Sequence, residues 1–246
     1  MPSRLNALRG EPLLSPPAGE RSLWAEVDVP AERLMRLGIR KAESEGTWLE
    51  LSAITADMKT MGLDVSDILA KHGGKLREQL AVRGGDDVMV NFVWMAANMK
   101  SLGFGVDDEA GSRKERIWDT VEKSKTLGNW DNHITLMRQM RHLGLDVDGE
   151  VRANRAAMLT QLQKEADNGW WASYSSHAAA MKSLGIVVDT EPHRAEMLKD
   201  LESKNRVLWP SYITMQARGL YELGYLTPNS APQETRPMPE LKRFRK

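Results

Sequence analysis

The sequence lacks cysteine, long apolar runs and an excess of charge of either sign. Without cysteine, disulfides and thiolate metal sites are excluded. No apolar run approaches the roughly 18 residues that a membrane-spanning helix needs, so we expect no membrane insertion. Lysine plus arginine and aspartate plus glutamate number 34 each. The overall charge therefore provides no general attraction for nucleic acid or for an acidic membrane surface.

Proline is missing from the middle of the chain. Five of the eleven prolines fall in residues 1–30, three lie in 230–246, and none occurs in 31–191. Because an interior proline breaks a helix, a long proline-free stretch with regular apolar spacing predicts a helical body. We therefore predict an extended N-terminal arm (1–30), a helical body (31–229) and a basic, proline-containing C-terminal arm (230–246).

An eight-residue phrase recurs along the helical body. It begins at Met58, returns in steps of 41 residues at Met99, Met140 and Met181, and has a degenerate copy at Leu220. The upstream residues form an apolar stripe at helical spacing, and the glycine inside each copy fits a helix C-terminus. A second helix precedes each stripe. We predict an all-α fold, a right-handed α-solenoid of five two-helix repeats. The repeats span 31–67, 72–108, 113–149, 154–190 and 193–229.

A helix pair that ends in Met-Lys-x-x-Gly-hydrophobic resembles the pentatricopeptide repeat and, more distantly, the tetratricopeptide repeat. The resemblance covers residues 31–229, and the last copy, from Leu220 to Asn229, is nearest to the pentatricopeptide ending. The 41-residue period is longer than that family's, which leaves its first-helix positions unassigned. Members of that family bind single-stranded RNA. The resemblance implies base-reading positions at the repeat ends, namely Asp67, Asp108, Gly149, Thr190 and Asn229.

One basic residue recurs at the same position of four repeats: Lys59, Lys100, Arg141 and Lys182. In a stacked array this basic column could follow a phosphate backbone. Alternatively, each cation sits in the last turn of its helix, where it complements the helix dipole. We favour the second interpretation because it needs no ligand, and we keep the four residues as candidate contacts with a partner or RNA.

Tryptophan recurs in the same way. Trp48, Trp130 and Trp171 share one repeat position, either as a stacking platform for bases or, as we favour, as wedges between core helices. Trp170 cannot share the face of Trp171, because neighbouring side chains on a helix point about 100° apart. The candidates for exposed aromatic contact are therefore Trp94, Trp118 and Trp170.

No recognisable motif carries catalytic chemistry. No two of the five histidines have the i, i+4 spacing of a zinc-binding helix, and no nucleophile, base and oxyanion donor assemble. His133 shares an apolar column and is predicted to be a partly buried packing residue. The aspartates that close each repeat are interpreted as helix N-caps rather than as a cation site. We predict no enzyme activity, no cofactor and no metal site.

We therefore predict a non-catalytic scaffold or accessory subunit that binds other protein subunits in a larger assembly. The alternative is a single-stranded RNA-binding module resembling pentatricopeptide-repeat proteins, in organellar gene expression or a ribosome. We expect a soluble intracellular protein that is not secreted, with mitochondrion and plastid as open alternatives. The C-terminal arm adds basic candidates for contact with a partner or RNA: Arg236, Lys242, Arg243, Arg245 and Lys246.

Overall fold

A computed structural model describes residues 31–84, 89–204 and 210–226, and the regular structure in these ranges is helical. The helices are α1 (Ala31–Glu45), α2 (Trp48–Thr60), α3 (Ser66–Arg83), α4 (Met89–Leu102), α5 (Asp107–Gly111), α6 (Lys114–Thr126), α7 (Trp130–His142), α8 (Asp148–Asp167), α9 (Trp171–Ser183), α10 (Arg194–Lys204) and α11 (Pro210–Leu223). A 3₁₀ turn, Glu191–His193, precedes α10. Both predicted arms lie outside the described residues, including the candidates Arg236, Lys242, Arg243, Arg245 and Lys246.

The helices alternate between two sets along the chain. We call α2, α4, α7, α9 and α11 the inner helices, and α1, α3, α6, α8 and α10 the outer helices. The third repeat differs from the others because its first helix is divided into α5 and α6. Helices α3 and α8 begin at Ser66 and Asp148, six residues before the predicted repeat boundaries. The predicted boundaries lie close to apolar residues that occur inside these helices rather than in their first turns.

Left-handed glycines end the inner helices, as the repeated phrase predicts. Leu63 N–H donates to Met58 O across Gly62 at 2.9 Å, and the same backbone bond recurs from Leu145 to Met140 at 3.0 Å. A positive φ favours glycine because a Cβ is strained there. The glycines at this position are Gly62, Gly103, Gly144, Gly185 and Gly224, with φ between 77° and 97°.

The predicted aspartate caps take a different form from the expected one. Asp67 and Asp108 lie inside the first turn of their helices, and the cap positions before those helices are held by Val65 and Val106 without a side-chain hydrogen bond. The aspartate two residues before the start of α3 closes the turn instead: Asp64 Oδ1 accepts from Ser66 N at 2.9 Å. The equivalent Asp146 and Asp189 accept from Asp148 N and Glu191 N.

The inner helices form a closed ring. Helix α2 packs on α4, α4 on α7, α7 on α9, α9 on α11, and α11 returns to α2. They run parallel and in register, because Ser101 Oγ lies 2.9 Å from His142 Nε2, its equivalent one repeat later. Each outer helix packs in the groove between two consecutive inner helices, so that α1 contacts both α11 and α2. The result is a two-layered ring of five hairpins.

Ring closure is a departure from the predicted solenoid, in which the first and last repeats would not meet. Helix α11 contacts both helices of the first repeat. The fifth repeat differs locally at Gly219, where an added Cβ would lie 2.7 Å from the carbonyl carbon of Ser175. The glycine therefore allows α11 to approach α9 more closely than a side chain would permit.

The core lies between the two layers. Met58, Met99, Met140 and Met181, the residues that open each repeated phrase, are 0–1% exposed. They lie on the side of the inner helices that the outer helices cover, and one repeat's core continues into the next. Among the described helices, none is long and apolar enough to cross a membrane.

Candidate functional site

The ring has two chemically different faces because its inner helices are parallel. We call the face where the inner helices begin the tryptophan face, and define it by Trp48, Trp130, Trp170, Trp171, Val82 and Leu127. We call the face where the inner helices end the charged face, and define it by the basic column and by Asp107, Asp148 and Val187. Outer helices run the opposite way, so their C-terminal residues join the tryptophan face.

The three repeated tryptophans pack between neighbouring elements. The ring of Trp48 lies 5.8 Å from that of His72 in the next outer helix, and Trp171 lies 5.4 Å from His193 in the 3₁₀ turn before α10. Trp130 stands edge-on to His133 at 5.1 Å. All three indoles are partly buried against the core, which favours the wedge interpretation. His133, expected to be partly buried, is completely buried.

The tryptophan face also carries apolar side chains that the fold does not cover. Leu127, just beyond α6, is 79% exposed, and Val82, at the end of α3, is 59% exposed. Trp170, the residue before α9, is partly exposed. Trp94 and Trp118, the other aromatic candidates, are partly buried, and Trp118 packs against the core.

The basic column lies along the charged face, and each side chain for which contacts are defined reaches the next repeat. Lys100 Nζ pairs with Asp107 Oδ1 at 2.6 Å, and Arg141 pairs with Asp148. Arg141 also donates to the carbonyl oxygen of Ser183, in the last turn of the next inner helix, at 3.0 Å. The bond from Arg141 to a helix-end carbonyl favours the dipole interpretation at that position. Lys59 and Lys182 are exposed.

Four charged side chains meet at the centre of the ring. Arg218 of α11 pairs with Asp57 of α2, and its Nε lies 2.9 Å from Glu222 Oε1. Arg138 of α7 pairs with the same Glu222, and α7 and α11 are not neighbours in the ring, so this contact crosses its centre. The positions equivalent to Arg138 and Arg218 in the other repeats are alanines, which leave room for the two guanidinium groups: Ala56, Ala97 and Ala179.

Burial works against ionisation in this central network, and the pairing offsets it. Burial opposes a low pKa for Glu222, yet Arg218 and Arg138 hold the pKa of its carboxyl below the ordinary value. Burial likewise opposes protonation of Arg218, and Asp57 and Glu222 raise the pKa of its guanidinium. Burial raises the pKa of Asp57, and Arg218 counters part of that rise. The network ties the first, third and fifth repeats together.

A second polar cluster lies at the junction of the third and fourth repeats. It joins Asp131 of α7, Glu165 of α8 and His177 of α9, with one ligating atom of each within 4.8 Å of the others. Glu165 Oε1 lies 2.8 Å from His177 Nδ1 and accepts from Gln161 Nε2 at 3.1 Å. Glu165 is 0% exposed, and its Oε2 has no hydrogen-bond partner within the part of the chain that the structure describes.

The charges in this cluster favour the protonated forms of Asp131 and His177. Burial raises the pKa of Asp131, and the nearby Glu165 raises it further. Burial opposes protonation of His177, but the Glu165 and Asp131 carboxylates together raise the pKa of its imidazole above the ordinary value. A shared proton and a bound cation are the two chemical means of neutralising such a group.

Sequence analysis missed this cluster, because its members share no motif and come from three different helices. A signal was nevertheless present in the repeat register. The position of His177 is apolar in the first three repeats, where it is held by Ile54, Met95 and Leu136. A polar residue that replaces an apolar one at a core position of one repeat marks a site with an additional role or constraint.

Comparison with protein-family models, with curated proteins and with solved structures finds no match to this chain.

Proposed function

We propose that the ring is a scaffold that binds another protein subunit through its tryptophan face. The observation that supports this role is the exposure of Leu127 and Val82, at 79% and 59%, on the same face as the partly exposed Trp170. The three residues belong to the second, third and fourth repeats, at the turns from outer to inner helix, and apolar and aromatic side chains exposed on one face are typical of a protein–protein interface. A partner of matching chemistry would present apolar side chains, for example one face of an amphipathic helix.

RNA is the weaker candidate because two of the four residues of the basic column are paired within the fold, while Lys59 and Lys182 are exposed. Lys100 and Arg141 both pair with aspartates of the next outer helix. A phosphate backbone would have to compete with these carboxylates for the same cations. The described residues therefore offer a better surface for an apolar protein partner than for a polyanion.

The test is a pull-down of the tagged full chain from its native cell extract, divided into nuclease-treated and untreated halves. Three forms are compared: the unmodified chain, Leu127→Glu on the tryptophan face, and Val187→Glu on the charged face. Val187 is 85% exposed, so the control removes an equally accessible apolar side chain from the opposite face. Both variants should fold normally, since exposed substitutions change stability by about 0.5 kcal/mol or less.

We expect the same defined proteins to be recovered with and without nuclease, with recovery reduced by Leu127→Glu and retained by Val187→Glu. Equal recovery by both variants would contradict the tryptophan face as the binding surface. Recovery of specific RNA, or loss of the protein partners after nuclease treatment, would instead support the RNA-binding alternative.

A further inference from the structure

We propose that Asp131, Glu165 and His177 form a binding site for one divalent transition-metal ion. The three side chains come from α7, α8 and α9 and place their ligating atoms within 4.8 Å of one another. This proposal is independent of the scaffold role, because the cluster lies inside the ring wall and its members do not define either face. Its basis is the hydrogen bonding around His177 and the burial of Glu165.

Thr135 lies against the second ring nitrogen of His177. Its Oγ1 donates to the carbonyl oxygen of Asp131 at 3.1 Å and lies 3.4 Å from His177 Nε2. With the hydroxyl hydrogen directed at that carbonyl, Oγ1 accepts from Nε2–H, and the Nδ1 of a neutral imidazole presents a lone pair towards Glu165 Oε1 at 2.8 Å. In this tautomer Nδ1 can bind a metal ion beside the carboxylate, whereas in the other tautomer Nδ1–H donates to Glu165.

Glu165 is a second indication of a ligand, because one of its two carboxylate oxygens is unpaired in the described part of the chain. It is 0% exposed, and its Oε2 has no hydrogen-bond partner among the described residues. An ionised carboxylate that is buried without a partner is costly, and such groups are normally paired or bound to a metal. Lys164 and Arg138 influence the cluster through their charges, but Arg138 forms its ion pair with Glu222 at the ring centre.

The other junctions show that the fold does not require polar residues here. Where the third repeat has Asp131, the first, second and fourth repeats have Leu49, Val90 and Ala172. Where the fourth repeat has His177, the first three repeats have Ile54, Met95 and Leu136. The fifth repeat has Ser211 and Gln216 at these positions, but at these positions an acid faces a histidine only at the junction of the third and fourth repeats, and the architecture alone does not explain that pair.

The donor set indicates the class of metal. One imidazole nitrogen with two carboxylates suits Zn²⁺, Mn²⁺ or Fe²⁺, whereas Ca²⁺ and Mg²⁺ prefer an all-oxygen shell. A tetrahedral ion about 2.0–2.2 Å from each donor would separate Nδ1 and Oε1 by roughly 3.3 Å, which small side-chain rotations can provide. Asp131 is partly exposed and gives the ion a route from solvent. The Thr135 hydroxyl would orient the imidazole from the outer shell.

The test titrates the metal-free full-length protein with Zn²⁺ in a calorimeter, and with Mn²⁺ under electron paramagnetic resonance. We expect one equivalent to bind, a rise in Tm on metal addition, and nitrogen modulation from one imidazole in the Mn²⁺ spectrum. Glu165→Gln and His177→Gln should each weaken binding by at least about 10-fold. Glutamine is already present at the position of His177 in the fifth repeat, as Gln216, so the second variant has a precedent in the fold.

His133→Leu is the matched control, because it removes another buried histidine at a position where the first repeat has Leu51. It should bind the metal as the unmodified chain does. Unchanged Tm with either ion, or equal binding by Glu165→Gln, would overturn the proposal. In that case a proton on His177 Nδ1 forms the hydrogen bond to Glu165 Oε1. Glu165→Gln would then change stability by the same amount with and without metal.

Discussion

Two junctions of the ring bury carboxylates, and they differ in how the negative charge is balanced. Where the fifth repeat meets the first, Asp57 and Glu222 are held by Arg218, with Arg138 reaching across the centre. Where the third repeat meets the fourth, His177 is the cationic partner of Asp131 and Glu165 among the described residues, and the charges of Lys164 and Arg138 act on the cluster without a described ion pair to it. The first junction is complete within the protein, whereas the second has one titratable partner for two acids. The difference separates a structural ion-pair network from a group that is available to a ligand.

The largest effect should follow from breaking the complete junction. Arg218→Met removes the cation that Asp57 and Glu222 share and leaves both carboxylates in the ring interior. Losing one partner of a buried pair costs about 3–5 kcal/mol, so we expect a loss of that size in the free energy of unfolding measured with urea. Arg194→Met is the control, because Arg194 forms an exposed pair with Glu191 and lies over the ring of Tyr225, contacts worth about 0–1 kcal/mol each. Equal effects of the two variants would show that the central network contributes little.

Packing between the fourth and fifth repeats should give the next largest effect. Gly219→Ala would place a Cβ 2.7–2.8 Å from backbone atoms of Ser175 and Ser176, so α11 must move away from α9. We expect a loss of about 1–3 kcal/mol in the free energy of unfolding. At Gly74, inside α3, an added Cβ meets nothing within 4 Å, and Gly74→Ala should be neutral or stabilising by up to about 1 kcal/mol. A stability at or above that of the unmodified chain for Gly219→Ala would contradict the close approach.

The junction of the third and fourth repeats should make the free energy of unfolding depend on pH in metal-free buffer. Burial opposes protonation of His177, but Glu165 raises its pKa, so the folded state binds the proton more tightly than the unfolded chain does. This contribution is complete below the ordinary histidine pKa of about 6.5 and is lost as pH rises through the higher folded value. The stability difference between the unmodified chain and His177→Gln should therefore fall from pH 5.5 to pH 9.

His133, on the same helix α7 as Asp131, should show the opposite dependence of stability on pH. Burial lowers its pKa, so its contribution is present above about pH 6.5 and is lost as pH falls through the lower folded value. The stability difference between the unmodified chain and His133→Leu should accordingly rise with pH. Parallel pH profiles for the two variants would show that Glu165 does not hold the proton of His177.

The smallest effect should come from the exposed ion pairs at the edge of the junctions. Lys100→Glu places an acid beside Asp107 at the end of a helix where the dipole favours a cation. We expect a loss of about 0.3–1 kcal/mol in the free energy of unfolding, and addition of salt should reduce that loss. Asp107→Lys in the same chain should restore part of it. A loss comparable to that of Arg218→Met would remove the distinction between surface and central pairs.

The repeated helices could be predicted from the sequence because each repeat carries its own local signals. An apolar stripe and a left-handed glycine, such as Gly62 or Gly144, act within one hairpin and recur at a fixed period. The predicted all-α fold is confirmed in the described residues. Local signals failed at the N-caps, where Asp64 closes the turn that was predicted for Asp67, and at the starts of α3 and α8, which precede the predicted boundaries.

Ring closure and the polar cluster could not be predicted in this way, because both depend on differences between repeats. At the position of Gly219 the other repeats have larger side chains, and at the position of the two central arginines they have alanine. The repeated pattern therefore does not contain these residues. Asp131, Glu165 and His177 come together only when two repeats pack on each other. Their proximity depends on how the third and fourth repeats pack, and no single repeat contains all three residues.

The central contact between Arg138 and Glu222 has a consequence for copy number. In an open array, units can be gained or lost one at a time, since each depends only on its neighbours. Here a sixth hairpin would widen the circle and separate the guanidinium from its carboxylate, and a four-membered circle would crowd two guanidinium groups into less space. Duplication or deletion of a single hairpin should therefore be far more damaging in this protein than in a chain whose ends do not meet.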